Sequence, residues 1–398
     1  MLWQPSLPDR YQKMTDSQLS DSIQARKAEL GDSLVILGHH YQQDDVITHA
    51  DFTGDSFKLS QLAAQKVREV GGKFIVFCGV HFMAESADIL TPDDVTVILP
   101  DLSAGCSMAD MATYEDTLDA WDQIQSVIVT SDRPTRVIPI TYMNSTAAIK
   151  AFVGENGGAV CTSSNADRVL KWAFAGGTQP RQPDEDIKIM FFPDQHLGRN
   201  TAADMGYDIH TQMCLWDPKS SEDLGGNTPQ TILDSNVILW KGHCSVHKLF
   251  RPEHVDDVRA KHPGIQVIVH PECEHDVVCK ADQSASTEGI IKAIEQSPAG
   301  SAWAVGTEVH LVNRLANTYD DKFIRILSEC QCLCTTMYRI DPQHLLWTLD
   351  QLAEGKIVNQ IRVDAQTKKW SMLALERMLS ITSGQLVQEA APAEPVTV

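Results

Sequence analysis

The chain lacks any apolar stretch long enough to cross a bilayer, and its opening, MLWQPSLPDRYQKMTDSQLS, has no apolar central run of the secretory kind. The expected location is therefore cytoplasmic, with no membrane partner. Positive charge is scarce as well. Thirty-three Lys and Arg stand against 53 Asp and Glu, a formal net charge of −20. A broad nucleic-acid face needs clustered Lys and Arg, so nucleic acid is excluded as a partner, while local basic sites for small anions remain open. No G-x-G-x-x-G turn follows a first strand, which argues against a dinucleotide-binding dehydrogenase.

What the chain does have is 398 residues, 43% of them hydrophobic, enough for large buried cores, and ten cysteines at scattered spacings. In a reducing compartment such cysteines point to metal binding, catalysis or burial before disulfides. Cys78, Cys161, Cys214 and Cys279 read as core thiols. Three others sit in loops after strand-like stretches: Cys106 in LSAGCSMAD, Cys244 in WKGHCSVH, and Cys332 in ECQCLC.

Short apolar runs alternate with helical patterns along the chain. Strands are expected near 33–38, 73–78, 95–99, 136–144, 159–161, 187–192, 237–240, 266–269, 302–305 and 322–327. This rhythm points to an α/β protein with mostly parallel sheets, in which ligands bind at the carboxyl ends of the strands. It recurs three times. The expected division is 17–115 with Cys106, 116–250 with Cys244, 251–340 with Cys332, a helical extension over 341–388 and a disordered tail over 389–398. A single larger sheet is the alternative.

The first strand of each segment ends in a polar pair spaced i, i+2: His39 and Tyr41, Tyr142 and Asn144, His270 and Glu272. If the backbone stays extended there, both members of a pair face one side. The second strands end in His81, in Ser163 and Ser164, and in Thr307 and Glu308. Ser56, Ser145, Ser164 and Thr287 stand near helix starts, where hydroxyls and free N–H groups favour carboxylate or phosphate. Helix capping explains the same residues without a ligand, and for Ser145 it is the preferred reading.

Gaps of 138 and 88 residues separate Cys106, Cys244 and Cys332, unlike the close pairs of a zinc finger. Three thiolates can hold a four-iron cubane and leave one iron open as a Lewis acid. Zinc held by three thiolates and water is the inorganic competitor.

The ordered motifs GHHYQ (38–42), GDS (54–56), FCGVHFMAES (77–86), CSMADM (106–111), TYMNSTA (141–147), CTSSNA (161–166), KGHCSVH (241–247), HPEC (270–273) and GTE (306–308) resemble the quinolinate synthase A family over about residues 30–340. The resemblance implies three similar αβα domains around a pseudo-threefold axis. Each would supply one cysteine to a single [4Fe–4S] cluster with one open iron. It also implies condensation of iminoaspartate with dihydroxyacetone phosphate to quinolinate, phosphate and two waters, on the route to NAD. Functional coupling to an L-aspartate oxidase or aspartate dehydrogenase would follow.

Carried over by motif, the cluster ligands are Cys106, Cys244 and Cys332, with Cys330 and Cys334 as alternatives. Cys332 is preferred because Met337 follows it by five residues, where the family places a methionine. His39, Tyr41, Ser56, Tyr142, Asn144, Ser164, His270, Glu272 and Thr287 line the cavity. Among them Ser56, Ser164 and Thr287 hold phosphate, Glu272 and His270 move protons, and Tyr41, His39 and Tyr142 orient the substrates. Two departures stand out: Ala285-Ser-Thr287 where the family often has Gly-Ser-Thr, and C-x-C-x-C where it often has C-x2-C-x2-C or Cys-Pro. The alternatives are an iron–sulfur hydro-lyase of a small hydroxy-acid and a non-catalytic metal or redox sensor.

Overall fold

The computed structural model describes residues 4–385 except 57, 60, 61, 63, 64, 66, 68, 70, 330 and 331. Cys330, an alternative ligand, and the tail 389–398, expected to be disordered, lie outside the described residues.

Three sheets carry the architecture. In the first, β1 (Leu34–His39), β2 (Phe52–Gly54), β3 (Phe74–Cys78) and β4 (Thr96–Ile98) pair in parallel in the order β4-β3-β1-β2. The second contains β5 (Thr135–Tyr142), β6 (Ala159–Cys161), β7 (Asp186–Phe192), β8 (Met213–Trp216) and β9 (Val237–Trp240). Their order is β6-β5-β7-β9-β8, again parallel throughout. The third is the parallel set β11-β10-β12-β13, made of β10 (Gln266–Val269), β11 (Gln283–Ser284), β12 (Ala302–Gly306) and β13 (Phe323–Ile326). A last strand, β14 (Gln360–Ile361), joins β4 antiparallel, so the C-terminal extension contributes a strand to the first sheet as well as helices.

Helices covering both faces explain why these strands are apolar runs rather than alternating patterns. All six residues of β1 are buried, and each fully buried aliphatic side chain contributes about 1.5–3 kcal/mol. Cys78, Cys161 and Cys214 belong to this core, as their sequence setting suggests. Cys279 does not: it lies exposed on the six-residue helix His275–Lys280, too short and too polar to bury every side chain. Among the described residues no helix is long and apolar enough to cross a membrane.

Candidate active site

Parallel strands release their chains at one end, and the loops leaving β1, β5, β9, β10 and β13 surround one cavity. Its wall includes His39, Tyr41, Ser56, Tyr142, Asn144, His270, Glu272 and Thr287. Eight of the nine anticipated cavity residues are thus brought together from three sheets. Ser164 is the exception. Its hydroxyl turns to that of Thr162, 2.9 Å away, while the preceding Ser163 faces the cavity. Ser145 is no helix cap: it donates to the carbonyl of Tyr142, and Thr146 caps the helix Ala147–Glu155.

The paired polar residues reach one side by a different route from extended backbone. After β1 the chain turns, with the N–H of Gln42 on the carbonyl of His39, and the Tyr41 N–H donates to His39 Nδ1 at 3.1 Å. After β10 the same device recurs: Cys273 N–H bonds the His270 carbonyl, and Glu272 N–H donates to His270 Nδ1 at 3.3 Å. Each Nδ1 is therefore an acceptor, and the neutral ring carries its proton on Nε2. Burial pushes both imidazoles down to about 3, so they stay neutral near pH 7.

A chain of hydrogen bonds crosses between the sheets. Tyr41 bonds Thr287 Oγ1 at 3.0 Å and Thr307 Oγ1 at 2.8 Å; Thr307 meets His247 Nε2 at 3.1 Å, and His247 Nδ1 meets Glu272 Oε2 at 2.8 Å. His247 also stacks on His270, their centroids 4.5 Å apart. Burial opposes ionisation of Glu272, but the His270 and His247 rings packed beside it and the hydrogen bonds from His247 and the Tyr142 hydroxyl outweigh it and hold the carboxyl below its ordinary value. Burial raises the Tyr41 and Tyr142 phenols well above their ordinary value, so both remain hydrogen-bond donors. His247 is a cavity residue that the motifs displayed but that went unassigned. It stands three residues after Cys244, one helical turn on, as the Lys248 N–H to Cys244 carbonyl bond shows.

The cavity thiols are Cys106, Cys244 and Cys334. Cys332, the expected third ligand, does not line the cavity. Its sulfur is fully buried, 3.3 Å from the Ser328 hydroxyl, and it packs in the core of the third sheet with Cys273. The loop explains the shift. Val309 N–H holds the Cys332 carbonyl, Glu308 accepts from Cys334 N–H, and the chain then turns so that Tyr338 N–H reaches the Cys334 carbonyl. That turn brings Cys334, Thr336 and Met337 to the cavity together, so the methionine lies three residues from its cysteine, not five.

Two buried acids steady the cysteine loops. Asp194 follows β7 by two residues, caps the helix Gln195–Asp204 through Leu197 N–H, and accepts from Cys244 N–H at 3.2 Å. Glu308 follows β12 by two residues and does the same for the helix Val309–Thr318 and Cys334. The Cys244 loop lies so close to the turn after β7 that a Cβ on Gly242 would meet the Pro193 carbonyl oxygen at 2.2 Å, so only glycine fits.

The donor set suits a soft, cationic centre. Burial pushes the Cys106 thiol up to about 12 and the Cys334 thiol upward. It raises Cys244 further, with Glu272, Cys334 and Cys106 adding repulsion. Three crowded thiolates are therefore unfavourable without positive charge between them, and thiolate is the preferred donor for zinc or iron–sulfur centres. Val80, Phe82, Met83, Met108 and Val246 make the surrounding wall apolar. Cys244, His247 and Glu272 form a second grouping with donor atoms within 4.8 Å of one another. Both nitrogens of His247 are already engaged, however, which weakens it as a ligand.

Comparison with known proteins agrees with this geometry. The family profile described as "Quinolinate synthetase A protein" matches residues 21–380. A quinolinate synthase of Rhodopirellula baltica is 54% identical over 382 residues, covering 93% of this chain and 93% of the relative. One of Acidobacterium capsulatum is 53% identical, covering 94% and 95%, and one of Streptomyces coelicolor 52%, covering 92% and 89%. The chain belongs to the quinolinate synthetase A family.

Proposed function

We infer that the chain is a quinolinate synthase that condenses iminoaspartate with dihydroxyacetone phosphate, releasing phosphate and two waters, in NAD biosynthesis. The observation that carries this reading is one cavity where three thiols from distant loops meet a hydrogen-bonded row of histidine, phenol and carboxylate groups. Cys106, Cys244 and Cys334 would hold a [4Fe–4S] cluster. When bound, the cluster supplies an open iron, a Lewis acid for a departing hydroxyl.

The protein's own groups account for the remaining steps. Hydroxyls of Ser56, Ser163 and Thr287, with the N-terminus of the helix Thr287–Glu295, receive the phosphate of the triose. Ser164 supports that loop through Thr162 rather than touching substrate. His39 and His270 offer Nε2–H to carboxylate or hydroxyl oxygens, and Tyr142 and Asn144 orient the other substrate. Glu272, ionised and bonded to His247, takes a proton during carbon–carbon bond formation and returns it during ring closure. The apolar wall excludes water that would hydrolyse the imine.

An imine this labile calls for an enzyme that oxidises L-aspartate nearby, and buried thiols that must stay reduced fit the cytoplasm. The test is Glu272→Gln. Iron and sulfide content and the cluster absorbance should match wild type while quinolinate formation falls by about 10²-fold or more. Retained turnover would remove Glu272 from this role. A single zinc in place of about four irons would overturn the cluster.

A further inference from the structure

Away from the cavity, three side chains form a hydrogen-bonded row that the synthase chemistry does not use. The exposed thiol of Cys279 lies 3.4 Å from His275 Nε2, one turn away on the helix His275–Lys280. His275 Nδ1 lies 2.8 Å from Asn200 Oδ1. Asn200 is buried, and its amide nitrogen donates to the carbonyls of Pro271 and Cys273, each at 2.9 Å.

These contacts leave one arrangement of protons. The two carbonyls can only accept, so they require the NH₂ end of Asn200 and turn its oxygen toward His275. That oxygen can only accept, so His275 carries its proton on Nδ1. Nε2 is then a bare lone pair facing the Cys279 S–H. A thiol beside a base that is itself oriented by a third group is the arrangement of an activated nucleophile. The nearby charges are occupied elsewhere: Lys280 pairs with Asp256, and Arg199 interacts with Asp194 and Glu274. Cys279 is exposed on its short helix, so the row fits modification of a surface thiol rather than turnover of a bound substrate.

We propose that Cys279 is a reactive thiol site for low-molecular-weight disulfides, with His275 receiving its proton and Asn200 holding His275 in register. In the exchange the Cys279 proton moves to His275 Nε2, and the thiolate sulfur bonds one sulfur of the disulfide. The disulfide bond breaks, and the second sulfur leaves as a thiolate that recovers the proton from the imidazolium. No net oxidant beyond the disulfide is required.

The probe is oxidised glutathione added to the full-length protein under anaerobic conditions, with mixed disulfide at each cysteine followed by mass spectrometry at pH 6 and pH 8. An unassisted thiol loses roughly 70-fold of its thiolate between those values. Wild-type Cys279 should react first among the cysteines and lose less than about 20-fold between pH 8 and pH 6. His275→Gln should react about tenfold more slowly at pH 6 and regain the steep dependence. Cys279→Ser should remove the fast adduct and leave quinolinate formation unchanged. A wild-type rate that falls the full roughly 70-fold overturns the assignment without any variant. So does a His275→Gln profile that overlays wild type. Neither outcome bears on the cluster or on Glu272.

Discussion

Glu308 accepts a hydrogen bond from the backbone N–H of Cys334 at 3.4 Å while its other oxygen caps the helix Val309–Thr318 through His310 and Leu311. One buried carboxylate thus ties a cysteine loop to the scaffold of the third sheet. Asp194 repeats the relationship for Cys244 on the second sheet. Replacing Glu308 by Ala removes a cap, worth about 1 kcal/mol, and leaves a buried N–H unpaired, worth about 1–3 kcal/mol. Glu308→Ala should therefore lose about 2–4 kcal/mol in urea unfolding of the apoprotein and release iron faster to a chelator. Wild-type values in both measurements would show that the carboxylate does not anchor the loop.

The two cysteines of the Cys332–Cys334 segment separate cleanly by location. Cys334 faces the cavity and Cys332 is a core thiol beside Ser328. Cys334→Ser should bind less than about half the wild-type iron, because a hydroxyl is a poor soft-metal ligand. Cys332→Ser should keep its iron and lose about 1–2 kcal/mol of stability through burial of a more polar group. The reverse pattern in iron content would restore Cys332 as the ligand.

How much of this was legible follows from which forces were local. Strands such as β1, β5 and β7 show as apolar runs because parallel sheets covered on both faces leave no alternation to misread. The polar residues just after them could be found for the same reason. Short edge strands such as β2 and β11 carry almost no signal: Gln283 and Ser284 are exposed, and pairing alone makes them strand. The helix Tyr114–Ile128 went unread although Thr117, Ala120, Ile124, Val127 and Ile128 mark its buried face and Thr113 its cap. A C-x-C-x-C run offers equivalent thiols, and the five-residue spacing to Met337 that favours Cys332 says nothing about which thiol the loop turns inward. The choice is made by Glu308 and Val309, contacts from residues more than 20 positions away. Asp194 did have a signal, since it follows its strand by two residues and opens a helix just as Glu308 does.

The C-terminal helix Ala365–Thr382 rests on the helix Ala147–Glu155 at a point where glycine is obligatory. A Cβ on Gly154 would stand 2.0 Å from the Trp370 carbonyl oxygen, a backbone atom that cannot swing aside. Arg377 reinforces the contact by donating to the carbonyls of Gly154 and Gly158, each at 2.8 Å. Gly154→Ala gains about 1 kcal/mol of helix propensity but must push two helices apart. The expected net loss is about 2 kcal/mol or more, read as a lower urea midpoint. An unchanged or higher midpoint would mean that the helices separate at little cost.

Acid should loosen the join between the first and third sheets through Glu288. Its carboxylate takes a 2.9 Å hydrogen bond from His40 and a 3.3 Å contact from Lys58. The His40 hydrogen bond, with the charges of His40 and Lys58, holds the carboxyl at about 2, against 4.5 for an ordinary glutamate. A folded-state value below the unfolded one means that the unfolded chain binds protons first as pH falls. The stabilisation is therefore fully present above about 4.5 and drains away between about 4.5 and about 2. Because Glu288 is 22% exposed, solvent screening reduces the contribution to roughly 1–2 kcal/mol. Glu288→Gln should be less stable than wild type at pH 6 by that amount, and the two should converge toward pH 2.5 in urea titrations. A constant difference across this range would show that the carboxylate's charge contributes nothing to the join.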